Sequence, residues 1–332
     1  MRHFLLMILT AFMVCGFAAS AVADPTHEPA QVIALDEVEG RIDHMAVDAK
    51  AGRLFIAGLG NNTVEVVDMT TGKKLDSIKG FEEPQGLEFL SDVQRLVVAS
   101  GGDGKCRIYD AMLKLLASID NLPDADNVRY DPIAKKVFVG FGEGGVALID
   151  PQTGTKVGEI KLDGHPESFQ LEKNGRRIFV NVPEAGHVAV IDRDKGAVVA
   201  RWPITNARSN FPMALDEQSH RLFVGCRKPA MLLVYNTDNG KAVASLKIVG
   251  DADDVFYDPT CKKVYVSGGA GQVSLFTQID ADSYMSAGTI ETANGARTSL
   301  LDASSGTLFV AVPHRGSQKA EIRAFRTTES GK

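Results

Sequence analysis

The chain is poor in the residues on which redox cofactors and metal clusters depend. Its 332 residues include one tryptophan, Trp202, and four cysteines, none in a C-x-x-C, C-x-x-C-H or zinc-type spacing. Covalent c-type haem and a structural zinc cluster are thereby excluded. No stretch is strongly basic. Acids and bases are interspersed and the formal net charge is −6, which leaves no electrostatic footprint for nucleic acid or an anionic membrane surface. The G-x-S-x-G elbow, the phosphate-cradling G-x-x-x-x-G-K-[ST] loop and the H-E-x-x-H pair are all missing. With 44% apolar and 23% charged residues, the composition is that of an ordinary soluble globular protein with material for a large core.

Long apolar runs are confined to the N-terminus, where they read as an export signal. Arg2 and His3 form a short polar segment, Phe4 to Phe17 is almost wholly apolar, and Ala21-Val22-Ala23 supplies the small-x-small pattern of a signal peptidase site. The run is too short for a comfortable membrane span, and no other segment approaches one. Cys15 follows Val14, where a lipoprotein signal wants a small residue. The expected division is a signal peptide at residues 1–23, a linker at 24–30 and one folded domain at 31–332. Cleavage near Ala23 removes Arg2 and no acid, so the mature charge becomes −7 and the expected location is the periplasm or the exterior.

The dominant signal is a repeat. One apolar hexapeptide recurs seven times: RLFIAG from Arg53, RLVVAS from Arg95, KVFVGF from Lys136, RIFVNV from Arg177, RLFVGC from Arg221, KVYVSG from Lys263 and TLFVAV from Thr307. The steps are 42, 41, 41, 44, 42 and 44 residues, the period of four-stranded propeller blades of the WD40-like kind. A β-branched and aromatic run without polar alternation predicts a strand buried on both faces, as blades stacked face to face require. A preceding strand, such as His44–Asp48 or Asn127–Asp131, ends at a turn opened by an acid: Asp48, Asp131, Glu172, Asp216, Asp258 and Asp302. Their recurrence at one turn position makes these acids structural. A third strand (Thr63–Asp68, Gly145–Asp150, His187–Asp192) leads through a glycine-bearing hairpin to a fourth, outer strand. The last repeat stops after its third strand, Glu321–Arg326, and the missing strand is found at the other terminus, Gln31–Leu35. The fold class is therefore all-β: a seven-bladed β-propeller with four-stranded antiparallel blades, the last closed by the N-terminal strand.

The consensus F-V-x-x…V-x-V-I-D-x-x-T-G-K-V, repeated along residues 31–326, resembles the YVTN-family β-propeller repeat proteins, the YncE-like periplasmic group. The resemblance implies the propeller and export, and it carries no catalytic motif. Similar repeats occur in the d1-haem domains of nitrite reductases and in archaeal surface proteins, so fold analogy does not choose a function. Quinoprotein propellers dock their blades through tryptophans, and Trp202 stands alone.

Propellers bind ligands at one mouth of the central channel, on loops leading into the innermost strands and loops joining second to third strands. The pairs leading into the seven inner strands are Asp43-His44, Gln85-Gly86, Asp126-Asn127, Glu167-Ser168, Phe211-Pro212, Asp253-Asp254 and Arg297-Thr298. They share no repeat identity, so function is expected there. The second-to-third loops add Asp103, Glu143, Glu184, Arg227, His314 and Arg315. The candidate ligand-binding residues are Asp43, His44, Gln85, Asp126, Asn127, Glu167, Asp254, Arg297 and His314. Within them Asp43, His44, Asn127, Glu167 and Asp254 are candidate metal ligands, carboxylate and amide oxygens suiting calcium and the imidazole zinc.

The reading is an exported periplasmic propeller, acting as a monomer, that holds a small molecule or partner protein at the channel mouth without catalysis. The alternative is a lactonase-like hydrolase or lyase using calcium or zinc in the channel, where the ion would polarise a carbonyl or activate water. A divalent cation is the one cofactor the residues leave open. Cys106, Cys226 and Cys261 are expected to stay unbridged, because their places in the repeat put them on different blades and at different channel ends.

Overall fold

Each apolar hexapeptide forms the second strand of a four-stranded antiparallel sheet, and seven such sheets make up the computed structural model, which describes residues 28–327. Six of the seven strands coincide with the hexapeptide, and the fifth runs on from Arg221 to Lys228. The expected signal peptide and the first residues of the linker lie outside the described residues.

Within each blade the sheet runs in chain order from inner to outer strand, except in the last. There the order is Gln31–Ala34, Glu321–Arg326, Thr307–Val312, Ser299–Asp302. Gln31 to Ala34 pair antiparallel with Ala324 to Glu321, so the two ends of the chain share one sheet as expected. The strand stops one residue short of Leu35, whose amide still donates to the Ala320 carbonyl at 2.9 Å.

Apolar side chains fill the spaces between blades, in seven clusters that each join two neighbours. The closing interface between blades 7 and 1 packs Ile33 and Leu35 with Leu54, Ile56, Phe309 and Ile322. This is why the hexapeptides show no polar alternation: both faces of the second strand are buried, and burial of such side chains contributes roughly 1.5–3 kcal/mol each. Trp202, on the outer strand of blade 4, packs 5.3 Å from the Phe179 ring and 6.3 Å from Tyr235.

The recurring acids are structural, as predicted. Asp48, Asp131, Asp216, Asp258 and Asp302 accept backbone N–H groups of their own turns, and Glu172 accepts from the Arg177 amide. At the outer hairpins Asp68, Asp150 and Asn236 do the same, while Gly72, Gly154 and Gly240 take the positive φ there. In blades 1 to 6 the register between third and fourth strands shifts close to this hairpin. The stitched pair in blade 7, which has no such hairpin, keeps a regular register.

Candidate functional site

The loops leading into the inner strands and the second-to-third loops meet at one end of the channel, around a cavity of about 530 Å³. All seven blades contribute to its wall: Asp43, Gln85, Asp126, Glu167, Phe211, Asp253 and Arg297, one from each. Of the predicted residues, Asp43, His44, Gln85, Asp126, Asn127, Glu167 and Arg297 line this cavity. Asp254 lies deeper, in a second chamber of about 280 Å³ that it shares with His44, Glu88 and Arg129. His314 borders neither chamber; its Nδ1 lies 2.6 Å from Glu39 Oε2 on the surface.

Three inner strands reach into the mouth with broken register. The shifts fall between Pro84 and Leu87, between Asn210 and Met213, and between Ala252 and Asp254. Such bulges re-aim side chains, and here they sit at Gln85, Phe211 and Asp253, which line the cavity. A fully buried amide pair supports the Phe211 bulge. Asn181 Nδ2 donates to the carbonyls of Phe211 (2.9 Å) and Pro212 (3.2 Å), and Asn210 Nδ2 donates to Asn181 Oδ1 (2.9 Å) and to the His187 carbonyl (3.1 Å).

His44 stands at the boundary of the two chambers, among carboxylates. Its Nε2 lies 3.8 Å from Asp43 Oδ1 and from Asp126 Oδ1, and its Nδ1 lies 3.8 Å from Asp254 Oδ1. Burial alone would pull the imidazole pKa down, but Asp254, Asp43, Asp126 and Asp253 outweigh it and raise the pKa to about 9. The acids shift too. Burial, reinforced by like charges, pushes Asp126 up to about 6, Asp254 to about 7 and Glu167 to about 8, and raises Asp253. Among the described residues no three His, Cys, Asp or Glu side chains are grouped as a metal site requires. Of the candidate metal ligands, Asp43 and Asp254 flank the His44 ring, together with Asp126.

Three arginines balance part of the acidity. Arg41 Nη2 lies 2.9 Å from Asp43 Oδ2. Arg227 bonds Asp253 and lies 3.5 Å from Asp251, with its guanidinium 3.9 Å from the centre of the Phe211 ring. Arg297 lies 3.4 Å from Asp251 and 3.8 Å from Asp253. The Ser299 amide donates to Asp254 Oδ2 at 2.8 Å and so fixes this acid from the neighbouring blade.

Arg41 and His165 line the cavity without having been singled out by sequence. His165, whose Nδ1 donates to the Gly142 carbonyl at 2.7 Å, lies just outside the residue pairs that lead into the strands. One signal was available for the buried amides: Asn181 is the polar interruption in the hexapeptide RIFVNV.

No family model matches the chain. It is 30% identical over 231 residues to the "Uncharacterized protein YncE" of Salmonella typhi, a match covering 67% of this chain and 64% of the relative. The protein of the same name from Salmonella typhimurium strain LT2 is 29% identical over the same shares. The match thus spans somewhat less than two thirds of either relative. Among solved structures, a chain of the mitotic checkpoint complex superposes with a TM-score of 0.79 at 13% identity, over 98% of this chain and 100% of the other. A chain of Kuenenia stuttgartiensis hydrazine synthase does so with a TM-score of 0.76 at 15% identity, over 94% and 99%. At such identities these two likenesses concern the fold alone. Seven stitched four-stranded blades, together with the similarity to the two Salmonella proteins, make this chain a YncE-like β-propeller protein.

Proposed function

We propose that the protein is an exported periplasmic binding module, monomeric, whose ligand sits at the channel mouth. That ligand is a small molecule or a segment of a partner protein. The observation that carries the reading is that seven blades with near-identical scaffolds each send a side chain to the wall of one cavity, together giving four carboxylates, an amide, an aromatic ring and a guanidinium. Groups held by separate rigid sheets are pre-organised, so a ligand touching several of them loses little in ordering the site. The volume lies within the range of small-molecule sites.

Thermal-shift screening followed by affinity measurement in His44→Ala, Asp126→Ala and Arg297→Ala tests the site. Affinity unchanged in all three folded variants would remove the mouth as the binding surface. Mass spectrometry of the mature N-terminus tests export, with a start at Asp24 expected. The hydrolase or lyase reading has its own test in metal analysis before and after chelation. A stoichiometric, tightly held ion would put it first.

A further inference from the structure

The cations at the mouth are already committed. Arg41 serves Asp43, and Arg227 and Arg297 serve Asp251 and Asp253. Neither Asp126 of blade 3 nor Glu167 of blade 4 has an arginine or lysine at salt-bridge distance among the described residues. Asp126 has the His44 ring at 3.8 Å and His165 farther off, and Glu167 feels Arg227 and His44 only at longer range, with Asp126 and Asp253 opposing them. Asn127, next to Asp126 in the chain, is 2% exposed and part of the cavity lining. Its Nδ2 donates to Asp126 Oδ2 at 3.1 Å, which leaves Oδ1 as an acceptor without a donor. Asp126 Oδ1 is likewise buried without a hydrogen-bond partner. Buried acceptors left unpaired are costly, and here they share one wall with an unpartnered carboxylate.

The missing component is a positively charged hydrogen-bond donor. An ammonium offers three N–H groups and a guanidinium five, enough for Asp126, Asn127 and Glu167 together. The rest of the wall suits an organic carrier better than a bare ion. Phe211, Pro123 and Pro183 offer apolar surface, and about 530 Å³ far exceeds what one ion fills. We infer that the mouth seats the protonated amine or guanidinium group of an organic ligand against Asp126, Asn127 and Glu167, an assignment that rests on the mouth being the binding site.

Without such a ligand the acids meet their need with protons, Asp126 being raised to about 6 and Glu167 to about 8. Seating a cation must then expel a proton from Glu167 to solvent, so binding tightens as pH rises toward 8 while the amine stays charged.

The test is isothermal titration of the mature protein with agmatine, putrescine and L-lysine, with succinate and calcium chloride as contrasting probes, at about pH 6 and about pH 8. At least one amine should bind one to one, more tightly at the higher pH, with proton release read from buffers of different ionisation enthalpy. Glu167→Gln should weaken it about tenfold or more and abolish the release at about pH 8, and Asp126→Asn should weaken it as well. Absence of amine binding at millimolar concentration overturns the inference, as does amine binding that both variants leave unchanged. Succinate or calcium binding alone, weakened in His44→Ala, would overturn the amine assignment yet keep the mouth as the site. If a variant fails to fold, the unsubstituted protein still decides: amine binding without proton release overturns the assignment.

Discussion

Gly86 of blade 2 lies against the backbone of Asp126 in blade 3, so closely that a β-carbon at residue 86 would stand 1.9 Å from the Asp126 carbonyl oxygen. Glycine is therefore required there by the neighbouring blade, and the contact sets how near the two blades come at the mouth. Gly86→Ala must push the Asp126-Asn127 segment away. Overpacking of this kind costs about 1–3 kcal/mol, so a lower melting temperature is expected. The same variant should weaken any mouth ligand, because Asp126 moves with its backbone. A melting curve and affinity equal to wild type would show that the blades do not meet as described.

The closure between chain ends predicts a second loss. Removing residues 31–35 takes Ile33 and Leu35 out of the blade 7–blade 1 interface and leaves Glu321–Arg326 as an open edge. The whole domain should melt at lower temperature and aggregate more readily. Ile33→Ala alone should cost about 2–5 kcal/mol by cavity formation, measurable by chemical denaturation. Wild-type stability of the truncated protein would contradict the closure.

Cysteine reactivity separates burial from bonding. Cys106, Cys226 and Cys261 are all free thiols. Alkylation of the unfolded, unreduced protein should therefore label all three. In the folded protein Cys106 and Cys226 should resist, since burial removes access and pushes both thiols up to about 12. Cys261, half-buried, should react first.

The mouth makes stability depend on pH with one sign. Glu167, Asp126 and Asp254 have folded pKa values above the ordinary carboxylate range, so between the unfolded and folded values the native state binds more protons and stability falls as pH rises. His44, raised to about 9, contributes stability that is complete below about 6.5 and is lost as pH rises through 9. Unfolding free energy should thus decline from about pH 5 to about pH 9, and Glu167→Gln should flatten part of the decline and stabilise the protein at about pH 8. A flat profile, measured by denaturant titration across that window, would refute the shared sign.

Much of this molecule could be read in one dimension. Hexapeptides 41 to 44 residues apart place seven second strands, six of them to the residue. Strand type there follows from local side-chain shape and burial on both faces, which recur with the repeat. The cavity wall was also legible as a position, because Asp43, Gln85, Phe211 and Arg297 differ at equivalent places where the scaffold does not. Partnership was less legible. His314 was expected among them but turns to Glu39, and Arg41 and His165 joined the wall unannounced.

Repeat period, blade number and the exchange of strands between termini were determined by the sequence alone, since each depends on contacts between residues close in the chain or on a count of repeats. Which side chains pair across the channel was decided by the tertiary structure. His44, Asp126 and Asp254 come from blades 1, 3 and 6, far apart in sequence. Their charges acquire a common field only when ring closure, with the bulge at Asp254, brings them, desolvated, to the same few ångströms.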